Sequence, residues 1–273
     1  MDFLIKLRAA EARNNSLLCV GLDPDVAKLP SSIASQPDPL FTFNKAIIDA
    51  TADLVSVYKP NTAFYEGLGA DGVKQLKQTC EYIQQNYSGI PILLDFKRGD
   101  IGNTNNYYAE YAFEYLGVDA ITVHPYFGQE ASEAFLAYKE KGIVILCRSS
   151  NPGAGEFQDL EVDGKKLYRI VAEAVMNKWN ENKNCLLMIG SPYPEELAEV
   201  RQALGDDVTF LIPGIGAQGG DVEATVKAGV NSKGTGVMIS ASRSVIFAGN
   251  GEDFAEAARA EAIKLRDEIN KYR

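Results

Sequence analysis

The sequence is poor in histidine, which limits the chemistry open to it. His124 is the single histidine among 273 residues. Most Ser-His-Asp and Cys-His mechanisms are therefore excluded unless His124 itself is the base, and a histidine-rich metal site is impossible. His124 ends a predicted strand, AITVHP. A packed, hydrogen-bonded histidine is the favoured interpretation there, and a pocket-lining residue is the alternative.

Cysteine is also scarce, with four residues at scattered positions and no CxxC spacing: Cys19, Cys80, Cys147 and Cys185. Three of them fall within predicted buried strands. The pattern predicts reduced thiols in the core, not disulfides or a zinc site.

Positive charge and long apolar runs are lacking as well. A formal net charge of −10 argues against a nucleic-acid partner, because binding many phosphates needs a broad basic face. A small phosphorylated ligand needs only a local cluster of donors. Residues 1–15 mix charged and apolar side chains at helical spacing, which predicts an N-terminal helix and not a signal peptide. No segment is long enough to span a bilayer, so the expected compartment is the cytoplasm.

What the sequence does have is a regular alternation of short apolar runs and amphipathic stretches, with 46% hydrophobic residues. The predicted strands are 17–23, 56–61, 91–97, 120–125, 142–149, 185–190, 208–214 and 236–241. The predicted helices are 43–53, 69–86, 104–116, 129–139, 165–181, 194–204, 221–229 and 253–271. Near-continuous apolar strands indicate a parallel sheet covered by helices. Eight such units favour a single-domain (β/α)8 TIM barrel over residues 1–273, with an open doubly wound sheet as the alternative.

The longest predicted loop, residues 151–164, follows the fifth strand with the sequence NPGAGEFQDLEVDG. Loops of this length are usually functional or mobile. Its glycines and acidic residues fit either a lid or a surface excursion.

The most informative stretch, PILLDFKRGDIGNT at residues 91–104, ends an apolar strand with Asp95, Lys97 and Asp100. Side chains alternate along a strand, so Asp95 and Lys97 should face the same way. A surface ion-pair cluster is the alternative, but the preceding apolar run favours charges at the mouth of a core. We interpret the cluster as catalytic.

Other polar residues follow the remaining strands, and in a (β/α)8 barrel all strand ends meet at one active-site mouth. They are Asp23, Lys59, Asn61, Ser149, Ser150, Asn151 and Arg243. The glycines of PGIGAQGG have the G-x-G-x-x-G spacing of a dinucleotide-binding site. No acidic residue ends the next strand to hold a ribose, so the context for such a site is poor. A phosphate between the seventh and eighth loops, held partly by Arg243, fits better. A surface salt bridge is the alternative for Arg243.

The complete pattern resembles the orotidine 5′-phosphate decarboxylase family, in its longer bacterial form. The resemblance covers essentially the whole chain: GLDPD, KPN, the DxKxxD of residues 95–100, DIGNT, PGIGAQGGD and SRS. DxKxxD alone is shared with a wider barrel superfamily that includes hexulose-phosphate synthases. The resemblance implies decarboxylation of orotidine 5′-phosphate to UMP, the last step of de novo UMP synthesis, without metal or cofactor.

The resemblance also implies residue roles. Lys59, Asp95, Lys97 and Asp100 would form a charged tetrad in which Lys97 protonates the pyrimidine carbon. Asp95 would lie beside the departing carboxylate, and Asp23 would hold the ribose hydroxyls together with Lys59.

The remaining implied roles concern the base, the phosphate and a second subunit. Ser150, or its neighbour Ser149, would read the pyrimidine. Gln218 and Arg243 would grip the phosphate. Asp100 and Thr104 would reach the neighbouring subunit's site, which implies a homodimer.

Two alternatives remain open. A magnesium-dependent sugar-phosphate aldolase would need further metal ligands, for which His124 and Glu66 are the nearest candidates. A non-catalytic nucleotide-binding barrel would not need the carboxylates of Asp95 and Asp100 beside an anionic ligand.

Overall fold

A computed structural model describes residues 2–215 and 220–273 of the protein. Eight parallel strands form its centre, and each begins and ends within two residues of its predicted position. They are β1 (Leu18–Leu22), β2 (Val57–Pro60), β3 (Leu93–Arg98), β4 (Ala120–Val123), β5 (Gly142–Arg148), β6 (Cys185–Ile189), β7 (Phe210–Pro213) and β8 (Val237–Ala241). The apolar runs form strands because both of their faces are buried.

The strands close into a barrel. They are hydrogen-bonded in the order β2-β1-β8-β7-β6-β5-β4-β3, and all neighbouring pairs are parallel. The two outer strands of that order, β2 and β3, meet through the bridges Tyr58–Ile92 and Asn61–Asp95. The predicted (β/α)8 barrel is confirmed, and the open sheet is excluded.

Helices cover the outside of the barrel and one of its ends. They are α1 (Phe3–Asn14), α2 (Pro39–Thr51), α3 (Gly69–Asn86), α4 (Asn103–Ala109), α5 (Gly128–Leu136), α6 (Leu167–Ala174), α7 (Pro194–Leu204), α8 (Val222–Gly229) and α9 (Phe254–Tyr272). π-Helical turns, Glu110–Tyr115 and Val175–Trp179, extend α4 and α6. Helix α2 begins four residues before its predicted start because Pro39 occupies its first position, where a missing N–H costs nothing. Short helical segments occupy Val26–Lys28, Ser31–Ala34, Ala63–Glu66, Pro152–Ala154, Gly155–Gln158 and Arg243–Ile246.

Helix α1 closes the amino-terminal end of the barrel. Its Phe3 and Leu7 side chains are fully buried against inward-facing residues of the strands. Gly142 at the start of β5 leaves room for this contact, since a Cβ there would lie 2.4 Å from the Phe3 ring. The opposite end, where the strands finish, is therefore left to form a site.

The predicted loop 151–164 contains regular structure. A short helix, Gly155–Gln158, is followed by a two-stranded antiparallel hairpin, Glu161–Val162 with Lys165–Lys166. We call residues 149–166 the β5 excursion. The sequence predicted only a loop here, either a lid or a surface excursion, and did not predict the short helix or the hairpin.

The remaining sequence-based expectations concern cysteines and membrane spans. All four cysteines lie in the described ranges and are buried and unpaired, as predicted. No helix within residues 2–215 and 220–273 combines the length and apolar character needed to span a bilayer.

Candidate active site

A cavity of about 330 Å³ opens at the carboxyl-terminal mouth of the barrel. This is within the size range of small-molecule sites. Most of the predicted site residues line it: Asp23, Lys59, Asp95, Lys97, Ser150 and Arg243. The strand ends therefore bring together side chains that lie up to 220 positions apart in the sequence, from Asp23 to Arg243.

The Asp95 carboxylate is the centre of the polar network. Its Oδ2 accepts hydrogen bonds from the Lys59 ammonium at 3.1 Å and from the Asn61 amide at 3.2 Å. Its Oδ1 accepts one from the Thr122 hydroxyl at 3.0 Å and is ion-paired with Lys97. A single buried carboxylate thus holds two ammonium groups at fixed positions in the cavity.

Charge pairing outweighs burial in setting the ionisation of this pair. Burial alone would raise the pKa of Asp95, but the charges of Lys59 and Lys97 hold it well below its usual value. Burial alone would lower the pKa of Lys59, but Asp95 and Asp23 raise it above its usual value. Both groups are therefore charged at neutral pH. Beneath them, burial raises the pKa of the Cys19 thiol to about 12, so the thiol is neutral.

The end of β3 departs from regular strand geometry. Its pairing with β4 shifts register between Leu94 and Arg98, and Lys97 has a left-handed φ of 47°. The Thr122 hydroxyl accepts the N–H groups of both Phe96 and Lys97, each at 2.9 Å. Such a conformation costs about 1–3 kcal/mol in a residue other than glycine. The predicted shared direction of Asp95 and Lys97 is confirmed by their ion pair, but the bulge that produces it was not predicted.

Asp100 and Thr104 lie outside the cavity lining. Asp100 is half-buried after β3, and the Asn105 side chain brackets its backbone, accepting its N–H at 2.9 Å and donating to its carbonyl at 2.6 Å. Thr104 is exposed in the first turn of α4. Within a single chain, three members of the predicted tetrad lie together, namely Lys59, Asp95 and Lys97. The fourth, Asp100, does not line the cavity.

Asp23 and Arg243 also line the cavity. Asp23 Oδ1 is buried and has no hydrogen-bond partner among the described residues. Arg243 is exposed at the start of the segment Arg243–Ile246 and forms no salt bridge within the described ranges, so the alternative of a surface ion pair is not seen. Gln218, predicted to bind phosphate, lies outside the described residues.

Three kinds of cavity residue were not predicted from the sequence. Thr122 was not proposed, although it stands two residues after Ala120, which packs inside the barrel, and so on the same inward face of β4. Asn61 was noted at its strand end but was not included among the site residues. Met188 and Leu211 form an apolar wall of the cavity. Their position could not be predicted, because inward-facing and outward-facing residues are both apolar in these strands.

The extra ligands that an aldolase would need are not at the site. Glu66 is ion-paired with Arg98 at 2.5 Å, and neither Glu66 nor His124 lines the cavity. The His124 ring instead packs on Gly99, where a Cβ would lie 2.7 Å from it. This confirms packing, but His124 Nδ1 has no partner among the described residues. Throughout residues 2–215 and 220–273, no group of three or more His, Cys, Asp or Glu side chains is arranged to hold a metal.

A comparison with known protein families gives a match over most of the chain. Residues 16–258 match the profile of the Orotidine 5'-phosphate decarboxylase / HUMPS family. The chain belongs to this family.

Individual family members match over the full length. The orotidine 5'-phosphate decarboxylase of Cellvibrio japonicus is 51% identical over 275 residues and that of Azoarcus sp. 50% over 273, with 100% of both chains covered in each case. The solved structure of Leishmania donovani OMP decarboxylase is similar with a TM-score of 0.87 and 37% identity, covering 100% of this chain and 99% of the other. The likeness therefore extends beyond the barrel fold to the whole chain.

Proposed function

We propose that this protein converts orotidine 5′-phosphate to UMP and carbon dioxide, the last step of de novo UMP synthesis. The observation that carries the proposal is the Asp95 carboxylate, which pairs with Lys59 and Lys97 at the barrel mouth of a family member. The proposed chemistry uses neither a metal nor a cofactor.

Lys97 is the proton donor in this proposal. The bond between the pyrimidine ring and its carboxylate breaks, carbon dioxide leaves, and the electron pair stays on the ring carbon. An ammonium group fixed beside that carbon stabilises the developing charge more than it stabilises the neutral ring. Transfer of the Lys97 proton to the carbon completes UMP, and solvent restores the ammonium.

Asp95 contributes through repulsion and through placement of Lys97. A carboxylate beside the substrate carboxylate repels it in the bound state, and this repulsion disappears as neutral carbon dioxide forms. One such interaction is worth only about 4 kcal/mol at 4 Å and an effective dielectric constant of 20. A demanding decarboxylation needs a barrier lowered by roughly 20 kcal/mol, so other terms must contribute. Binding of the distant phosphate can supply the remaining barrier lowering, because its binding energy favours a closed site from which water is excluded.

The remaining cavity residues bind the parts of the nucleotide that do not react. Asp23, whose buried Oδ1 lacks a partner within the described ranges, would accept a ribose hydroxyl next to Lys59. Ser150 would contact the pyrimidine. Arg243 and Gln218 would bind the phosphate, with the planar guanidinium suited to two phosphate oxygens.

A homodimer completes the proposal. Asp100 and Thr104 stand outside the lining of their own cavity, and we propose that they enter the site of a second copy. Exposed apolar residues surround them, with Ile101 62% and Tyr107 67% exposed. Covering this surface with a second subunit would bury apolar area and bring Asp100 to the partner's Lys97. A cytoplasmic location, where nucleotide synthesis takes place, is part of the same proposal.

The test is the ultraviolet absorbance of orotidine 5′-phosphate mixed with the purified protein and excess EDTA. We expect the substrate band to disappear and UMP to form at the same rate with and without the chelator. Activity that requires magnesium and a sugar phosphate would favour the aldolase instead. UMP binding without turnover would favour the non-catalytic barrel.

A further inference from the structure

The β5 excursion is tied to the end of β5 by a group of side chains that the proposed chemistry does not use. Gln158 and Asp159, from the short helix and the residue after it, reach back to Arg148 and Ser149. Ser149 and Ser150 both line the cavity. The contacts that hold Ser149 therefore act on the residue directly before Ser150.

Gln158 occupies the hydrogen-bonding groups of Ser149. Its Oε1 accepts the Ser149 N–H at 2.8 Å, and its amide donates to the Ser149 hydroxyl at 2.9 Å. The Ser149 hydroxyl also donates to Asn151 Oδ1 at 2.8 Å. Within residues 2–215 and 220–273, no hydrogen bond engages the Ser150 hydroxyl. Of the two adjacent serines, Ser149 is held by the protein and Ser150 is the one available to a ligand.

The buried guanidinium of Arg148 also holds the β5 excursion against the end of β5. Arg148 is 3% exposed, and its guanidinium donates to Asp159 at 2.9 Å while lying 3.8 Å over the ring of Tyr193. A buried cation requires a partner, so detaching Asp159 would leave Arg148 with an unpaired charge. Gly155 gives the Asp159 carboxylate its space, because a Cβ there would lie 2.6 Å from Oδ2.

The neighbouring strand fixes the backbone of Ser150. Gly190, which follows β6, approaches so closely that a Cβ would lie 2.7 Å from Ser150 Cβ and 2.8 Å from its Cα. The Gly190 N–H also donates to the Arg148 carbonyl at 2.8 Å. Ser150 is therefore held between Gly190 on one side and the Gln158-bound Ser149 on the other.

We propose that Gln158, supported by the Arg148–Asp159 ion pair, is a positioning residue that holds the Ser150 hydroxyl toward the pyrimidine of the bound nucleotide. The inference rests on the proposed function and adds residues outside the cavity lining to it. It makes the β5 excursion part of base recognition, and it assigns the base contact to Ser150 and not to Ser149.

A double-mutant cycle tests the proposal, with kcat and KM for orotidine 5′-phosphate measured for Gln158→Ala, Ser150→Ala and the pair. Loss of the Gln158 hydrogen bonds should reduce kcat/KM about tenfold in the wild-type background. In the Ser150→Ala background the same substitution should change kcat/KM by less than about twofold, because coupled residues are not additive.

Gln158→Glu keeps an acceptor for the Ser149 N–H and should restore most of the activity. Glu156→Ala, an exposed neighbour on the same short helix, is the matched control and should behave as wild type.

Binding measurements separate base recognition from general damage to the site. Gln158→Ala should weaken binding of UMP and leave binding of ribose 5-phosphate, which has no base, unchanged. An equal loss of affinity for both ligands, or an equal loss of kcat/KM in both backgrounds, would overturn the proposal.

The outcomes also distinguish this inference from the proposed function. If the wild type decarboxylates the substrate and Ser150→Ala impairs it while Gln158→Ala does not, the positioning role is wrong and the proposed function stands. If Ser150→Ala behaves as wild type, both the role of Ser150 and the positioning of it are wrong. If the wild type does not decarboxylate orotidine 5′-phosphate, the proposed function fails. The UMP and ribose 5-phosphate arms then decide the positioning role alone, and absence of UMP binding would overturn it.

Discussion

The two halves of the barrel interior are built from the same eight strands and have opposite chemistry. The lower half, toward the strand starts, is apolar and is closed by Phe3 and Leu7 of α1. The upper half, toward the strand ends, carries charged and hydroxyl groups, with Asp95 at its centre. Moving two residues along one strand, from Leu93 to Asp95, crosses from one half to the other. The contrast shows that polar and charged groups are gathered at one end of the barrel axis and apolar packing at the other, as in other barrels of this type.

The largest effect on activity should come from Lys97, which lies at the cavity. We expect Lys97→Ala to reduce kcat by about 10⁴-fold or more, because both a proton donor and a stabilising charge are lost. The free energy of unfolding should change little, since the side chain is 44% exposed. Lys183→Ala is the matched control, because Lys183 is an exposed lysine with a similar left-handed φ of 58°. Wild-type kcat in Lys97→Ala would remove the proposed proton donor.

The next effect tests whether the upper half contributes to stability as well. Asp95→Asn leaves the buried Lys59 ammonium without the carboxylate that is ion-paired with it, which should lower the free energy of unfolding by about 3–5 kcal/mol. Denaturant titration measures this, and the double variant Asp95→Leu/Lys59→Met should recover much of the loss.

The pH dependence of that stability difference follows from the low pKa of Asp95. A carboxyl whose pKa is lowered on folding contributes fully above its ordinary value of 3.8 and loses its contribution as the pH falls toward the folded value. The difference between wild type and Asp95→Asn should therefore be constant from about pH 5 to pH 8 and shrink only in more acidic solution. A difference that varied across neutral pH would contradict the charge assignment.

In the lower half, a substitution should reduce stability without reducing kcat. Leu7→Ala removes buried methyl groups at the closed end and should lower the free energy of unfolding by about 2–5 kcal/mol. At a temperature where the variant is folded, kcat should equal the wild-type value. Ile5→Ala, at a 62% exposed position of the same helix, serves as the control and should leave both quantities unchanged. A large loss of kcat in folded Leu7→Ala would show that the two halves are coupled.

The smallest effect is expected at Thr122, on the boundary between the halves. Thr122→Val keeps the shape but leaves the N–H groups of Phe96 and Lys97 without their acceptor, so the unfolding free energy should fall by about 1–3 kcal/mol. Activity should fall about tenfold as Lys97 loses its fixed position. Thr122→Ser keeps the hydroxyl and should retain most of both properties. Equal behaviour of the Val and Ser variants would mean that the hydroxyl does not matter.

The sequence by itself determined the features that are encoded locally. Apolar runs and amphipathic helical spacing are local properties, so the eight strands, their helices and the terminal helix α1 could be predicted to within a few residues. The same local rule placed Asp95 and Lys97 on one face, and the rule that barrel strands end at one mouth collected Asp23, Lys59 and Arg243 beside them.

Tertiary structure decided everything that depends on which strands become neighbours and in what register. Thr122 reaches Asp95 only because β4 pairs with β3, and that pairing also produces the bulge and the left-handed φ of Lys97. Gln158 reaches Ser149 only because the β5 excursion folds back on its own strand. Such contacts cannot be predicted from residue type. A Thr or Gln can form many hydrogen bonds, and only the folded chain determines which carboxylate or backbone N–H lies next to it.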